Sequence, residues 1–101
     1  MINLDTDSLS LLKKMLAQHV NSYEVWLFGS RATATIKPHS DIDLVIITKT
    51  PLPISVLAAL STALSESDLP YKVDLVDWST IDDTFKNIIK KNYVIIQSAE
   101  H

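Results

Sequence analysis

Cysteine is absent from the 101 residues, which excludes a disulfide scaffold, a thiolate metal site and a cysteine nucleophile together. Glycine occurs once and so does arginine, and the two stand two residues apart in Gly29-Ser30-Arg31. No apolar run is long enough to span a bilayer. No basic-then-apolar leader with a small-residue cleavage site opens the chain, so a cytoplasmic protein is expected. A basic excess is missing as well: nine Lys and Arg against twelve Asp and Glu leave a net charge of -3. The lysines are dispersed, so strong direct DNA binding is not expected.

With 47% apolar and 21% charged residues the chain has the composition of a folded domain rather than a disordered one. Its length suits a single domain over residues 1–101. Among its acidic residues aspartate dominates, nine to three over glutamate.

Leu9, Leu12, Leu16 and Val20, widened by Leu11 and Met15, predict a helix from about Ser8 to Val20, capped by Thr6 or Asp7. Tyr23 to Phe28 reads as a buried strand that stops at Gly29. Ser30 to about Thr35 reads as a short helix, and Lys37-Pro38-His39-Ser40 as a turn. Asp41 to Thr48 is a second strand. Pro51 and Pro53 lead into a second helix, Ile54 to Ser65, with Val56, Leu57, Leu60 and Leu64 on one face. Tyr71 to Val76 is a third strand. Ser79 or Thr80 caps a third helix that begins with Asp82 and Asp83 and ends with Lys86, Lys90 and Lys91, in keeping with the helix dipole. Tyr93 to Gln97 closes as a short strand. Helices alternating with strands predict an α+β domain with α/β-type alternation, in which helices cover a sheet of about four strands. The link between the first two strands is too short for an ordinary parallel crossover, so the sheet is expected to be mixed.

The chemistry concentrates on three segments. Asp41 and Asp43 stand two apart on a strand, so both side chains leave one face, with Cα atoms roughly 6.5–7 Å apart. Ile42, Leu44 and Ile46 take the other face. Paired carboxylates at the start of a buried strand repel each other and resist desolvation, and a bound cation relieves both. Hard oxygen donors without His or Cys point to Mg²⁺, or Mn²⁺. Asp74, inside Val73-Asp74-Leu75-Val76, would complete a three-carboxylate cluster if its strand lies beside the second. Such a cluster suits an in-line phosphoryl or nucleotidyl transfer, with Asp74 helping to activate the attacking hydroxyl. Gly29 and Ser30, between a strand and a helix N-terminus, offer backbone and hydroxyl donors to a phosphate, and Arg31 adds positive charge. Asp77, Asp82 and Asp83 read as turn and helix-start residues, and Trp26 as core.

This conjunction resembles the polymerase-β-type nucleotidyltransferase superfamily, in particular its minimal nucleotidyltransferases. Phe28-Gly29-Ser30-Arg31-Ala32, Ser40-Asp41-Ile42-Asp43-Leu44 and Val73-Asp74-Leu75-Val76 carry the resemblance. It implies metal ligands at Asp41 and Asp43, a third carboxylate at Asp74, and nucleotide contacts at Gly29, Ser30 and Arg31, with ATP as substrate. It also implies a HEPN-domain toxin as partner, neutralised by transfer of AMP to a tyrosine hydroxyl in a type VII-like toxin–antitoxin pair. The chain departs from the family's pattern at Thr33, where a basic residue is common, and at Ala34, where glycine is common. That departure implies weaker triphosphate binding or a shifted loop. A chain of this length has no recognisable region for gripping an acceptor, so another chain is expected to bring it. Two alternatives stay open: a nucleotidyltransferase acting on a small hydroxylated molecule, and a nucleotide-binding antitoxin that neutralises by contact. A TOPRIM-type phosphotransfer domain also uses Asp-x-Asp, but it calls for glutamate at the end of the first strand, where this chain has Phe28-Gly29.

Overall fold

The computed structural model describes residues 4–29 and 41–99. The short helix expected after Gly29, the turn at 37–40, and with them Ser30, Arg31, Thr33 and Ala34, lie outside the described residues.

Helix α1 (Thr6–Val20) is capped by Asp5, whose carboxylate accepts a hydrogen bond from Ser8 N at 3.0 Å. The cap therefore lies just before Thr6 and Asp7, the residues expected to provide it. Leu12, Met15, Leu16 and Val20 bury one stripe of α1. Strand β1 (Glu24–Phe28) follows and ends at Gly29, the glycine at which φ reaches +75°. Strand β2 (Ile42–Ile47) pairs antiparallel with β1, and helix α2 (Ile54–Ser65) returns the chain to strand β3 (Val73–Asp77), which lies parallel to β2. A 3₁₀ turn (Trp78–Thr80) precedes helix α3 (Asp83–Lys91), and strand β4 (Tyr93–Gln97) pairs antiparallel with the far side of β1. The strand order is β3-β2-β1-β4, the mixed sheet that the short β1–β2 link predicts.

Alternation along β2 sorts its side chains between two layers. Ile42, Leu44 and Ile46 are fully buried with Leu12 and Leu16 of α1 and Leu60 of α2. At about 1.5–3 kcal/mol for each large apolar side chain removed from water, this layer dominates the stability of the domain. The opposite face of the sheet carries a smaller cluster, Phe28, Val45 and Ile89, with Trp26, Val76, Trp78 and Phe85 packed around it. Helix α3 thus covers only part of that face. Trp26, expected in the core, is half-buried and stacks on Tyr93 with ring centroids 4.0 Å apart.

Two acidic residues differ from their expected roles. Asp82, expected in the first turn of α3, is its cap, accepting from Phe85 N at 2.8 Å, so the helix starts later than a cap at Ser79 or Thr80 would give. Asp77, expected as a turn residue, is the last residue of β3 and only 8% exposed. Its carboxylate accepts from Thr48 Oγ1, from Leu52 N at 2.7 Å, and from Ser79 N and Oγ at 3.0 and 2.8 Å. It ties the chain beyond β2 and the segment entering α2 to the end of β3.

Candidate active site

Strand register assembles the site. Tyr93 on β4, Phe28 on β1, Asp43 on β2 and Asp74 on β3 are successive Cα partners, so they form one row across the sheet. Residues directly opposite one another share a face. The parallel pairing of β2 with β3 therefore sets Asp43 beside Asp74 on the face that α3 partly covers. Asp41, half-buried just before β2, stands on the same side as Asp43 by the two-residue period. The parallel ladder begins next to it, with Ile42 N donating to Lys72 O at 2.8 Å.

Asp43 is the electrostatic centre of this group. Partial burial, then the negative charges of Asp74 and Asp41, push its carboxyl above the usual aspartate range. The Asp74 side chain is 45% exposed, with the Lys72 ammonium 3.8 Å from Oδ1. Sequence reading did not single out Lys72, although its place two residues before Asp74 puts both on one face of β3.

Gly29 has two reasons to be glycine. Its φ of +75° is a conformation L side chains rarely adopt. A Cβ there would also come within 2.5 Å of Asp43 Oδ2, so the bare backbone leaves room for the carboxylate. The expected phosphate-loop glycine is thus in contact with the expected carboxylate site. Ser30 and Arg31 lie outside the described residues.

The donor set is of the hard oxygen type that suits a divalent cation: Asp43 and Asp74 on adjacent strands and Asp41 just before the first of them, with burial and then the neighbouring charges raising the pKa of Asp43. Among the described residues, no three acidic or histidine side chains already form a metal-binding group, so the aspartates are neighbours rather than a closed cage. Asp77, although acidic and buried, does not join them. Burial raises its carboxyl, but the hydrogen bonds from Thr48, Leu52 N and Ser79 outweigh burial and hold it below the usual range. A cleft of about 360 Å³ lined by Leu64, Leu69, Tyr71 and Val73 opens between α2 and β3. Val73 and Asp74 project from opposite faces of β3, and Lys72, which also lines the cleft, is the residue it shares with the carboxylate group.

The described residues thus bring one carboxylate from β2, one from its parallel neighbour β3 and one from the segment entering β2 to the same side of a mixed sheet. The chain belongs to the polymerase beta nucleotidyltransferase family, whose model matches residues 11–101. It is 44% identical over 99 residues to a probable protein adenylyltransferase MntA of Haemophilus influenzae, covering 98% of this chain and 87% of that one. Solved structures share the fold. One is a toxin–antitoxin complex with AMP-PNP (TM-score 0.73, 22% identity, 96% of this chain and 76% of the other). Another is a tri-AMPylated Shewanella oneidensis HEPN toxin in complex with its MNT antitoxin (TM-score 0.71, 20% identity, 95% and 74%). Among the described residues, no helix is long and apolar enough to cross a membrane.

Proposed function

We propose that residues 1–101 act as one Mg²⁺-dependent nucleotidyltransferase domain that moves AMP from ATP to a tyrosine hydroxyl of a HEPN-domain partner, and so serves as the antitoxin of a toxin–antitoxin pair. The observation that carries this reading is the pairing of Asp43 with Asp74 across parallel strands, beside a glycine whose missing side chain leaves room for Asp43. The acceptor is argued from the 44% identical relative, a probable protein adenylyltransferase, and from the AMPylated HEPN toxin in the complex that shares the fold.

Asp41 and Asp43 are the residues to hold the divalent cation, with Asp74 as third carboxylate. When bound, that ion neutralises triphosphate charge and favours ionisation of the attacking hydroxyl. Gly29 lets the backbone approach the triphosphate, and Ser30 and Arg31 add a hydroxyl donor and a positive charge. The tyrosine oxygen attacks the α-phosphorus, and the bond from that phosphorus to the α–β bridging oxygen breaks. Pyrophosphate leaves, and the hydroxyl proton passes to the Asp74 carboxylate. The Asp74 side chain, 45% exposed, is open to an incoming hydroxyl.

A nucleotide-binding antitoxin that acts by contact alone is the second reading, favoured by Thr33 and Ala34 where the family pattern has a basic residue and a glycine. Incubation with labelled ATP, Mg²⁺ and the partner separates the two. Label on the partner that disappears with Asp43→Asn and with Asp74→Asn supports transfer. Suppression of toxicity by an unlabelled complex, unchanged in those variants, supports contact.

A further inference from the structure

An acceptor hydroxyl carried by another chain has to be seated against the carboxylates. We propose that Ile88, on the flank of α3 that overlooks Asp43 and Asp74, seats the acceptor-bearing segment of the partner through an apolar or aromatic side chain. This rests on the protein-borne acceptor proposed above.

Helix α3 lies on the carboxylate face of the sheet. Phe85 packs edge-on against Phe28 at 5.8 Å between ring centroids, and Ile89 is buried with Phe28 and Val45. Phe28 is the Cα partner of Asp43, so α3 crosses the sheet immediately beside the site. The helix leaves the end of β3 and finishes at the start of β4, so it runs obliquely over the strands. Lys86 and Lys90 mark one flank, with Nζ atoms 5.5 and 5.7 Å from the Trp78 ring centroid, and Trp78 packs on Trp26. At about 100° per residue, Ile88 falls roughly 200° from both lysines, on the opposite flank. Asp43 and Asp74 sit near the opening ends of β2 and β3, whereas Trp78, under the lysine flank, follows the closing end of β3.

Ile88 is 58% exposed, while Thr84, Asn87, Lys90 and Lys91, the other solvent-facing positions along this stretch, are polar. Isolated apolar residues on a surface are common, and it is position that distinguishes this one. Tyr93 and Ile95 are also exposed at 39% and 49% and share the carboxylate face, but β1 lies between their strand and β2, and Tyr93 is stacked on Trp26. An apolar side chain on the flank of α3 turned away from the lysines suits an acceptor whose hydroxyl is borne on an apolar ring or flanked by apolar neighbours. It does not suit a freely solvated polar one.

The test measures affinity without turnover. The purified HEPN-domain partner is titrated calorimetrically into the full chain carrying Asp41→Asn and Asp43→Asn, alone or combined with Ile88→Ala, Ile88→Glu or Ile95→Glu. Thermal melts check that each variant is folded. Ile88→Glu is expected to raise Kd at least tenfold, and Ile88→Ala severalfold, the scale set by covering a half-exposed isoleucine. Ile95→Glu is expected to stay within twofold. An Ile88→Glu variant that binds as tightly as its parent, or a loss confined to Ile95→Glu, overturns the assignment. A partner that binds but is never adenylylated by the wild-type chain defeats the transfer reading alone. A partner that does not bind the wild-type chain defeats both.

Discussion

At Gly29, one missing side chain serves backbone and carboxylate together. Gly29→Ala has to hold a φ of +75° and bring a methyl to 2.5 Å from Asp43 Oδ2. Nucleotidyl transfer is expected to fall by at least a hundredfold in this variant, with a modest loss of thermal stability, measured by label transfer and a thermal melt. Asp43 predicts the opposite pairing of effects. Its folded-state pKa is raised, so its ionisation opposes folding: the favourable contribution is present below the unfolded pKa and is lost as pH rises through the folded one. Asp43→Asn should therefore melt a few degrees higher than wild type at pH 7 without metal, where about 1 kcal/mol corresponds to roughly 4–8 °C in a domain of this size. The difference should vanish below about pH 3–4, where the wild-type carboxyl is protonated as well. Added Mg²⁺ should raise the melting temperature of the wild type and not of Asp43→Asn. For Asp77 the sign reverses. Its lowered pKa contributes stability above the unfolded value, which is lost as pH falls through the folded one. Asp77→Ala strands the Leu52 N–H and two hydroxyl groups, and should cost about 2–4 kcal/mol in a denaturant titration at pH 7, less in acid.

At the scale of elements, α3 depends on a short, strongly capped start. Asp82→Ala is expected to lower stability by about 1 kcal/mol by melting at neutral pH, with fraying confined to α3 as read by amide exchange. The cap also shows where the sequence was ambiguous. Asp, Ser and Thr cap helices by the same hydrogen bond, and between Asp77 and Asp83 five of the seven residues are of these types. Composition there predicts that a helix begins but not at which residue. Ser79 and Thr80 form the 3₁₀ turn instead, because the Asp77 carboxylate takes up the Ser79 N–H and its carbonyl accepts from Thr80 Oγ1. Where punctuation was unambiguous, boundaries were legible. Pro51 and Pro53 fixed the start of α2, and the run of β-branched residues after Lys91 fixed β4. The carboxylate group was legible through the two-residue period of β2 and one acidic residue in an otherwise apolar strand. Register was not, since the sequence offers no marker that sets Asp43 opposite Asp74 rather than one residue aside. The buried role of Asp77 was hidden for a related reason: its partners Thr48 and Leu52 are distant in sequence and ordinary in type.

Over the whole molecule the sheet separates stability from chemistry. Helices α1 and α2 bury one face with aliphatic side chains, while the other face carries Asp43 and Asp74 and, among the described residues, is covered in part by α3. The mild net charge of -3 then agrees with the proposed divalent-cation and triphosphate site better than with a surface that grips nucleic acid. Intact-mass analysis of the HEPN-domain partner after incubation with the chain, ATP and Mg²⁺ tests the central claim most directly. The account predicts a gain of one or more AMP units on tyrosine, abolished by Asp41→Asn and by Asp43→Asn. A partner of unchanged mass, or AMP addition that persists in both variants, would contradict it.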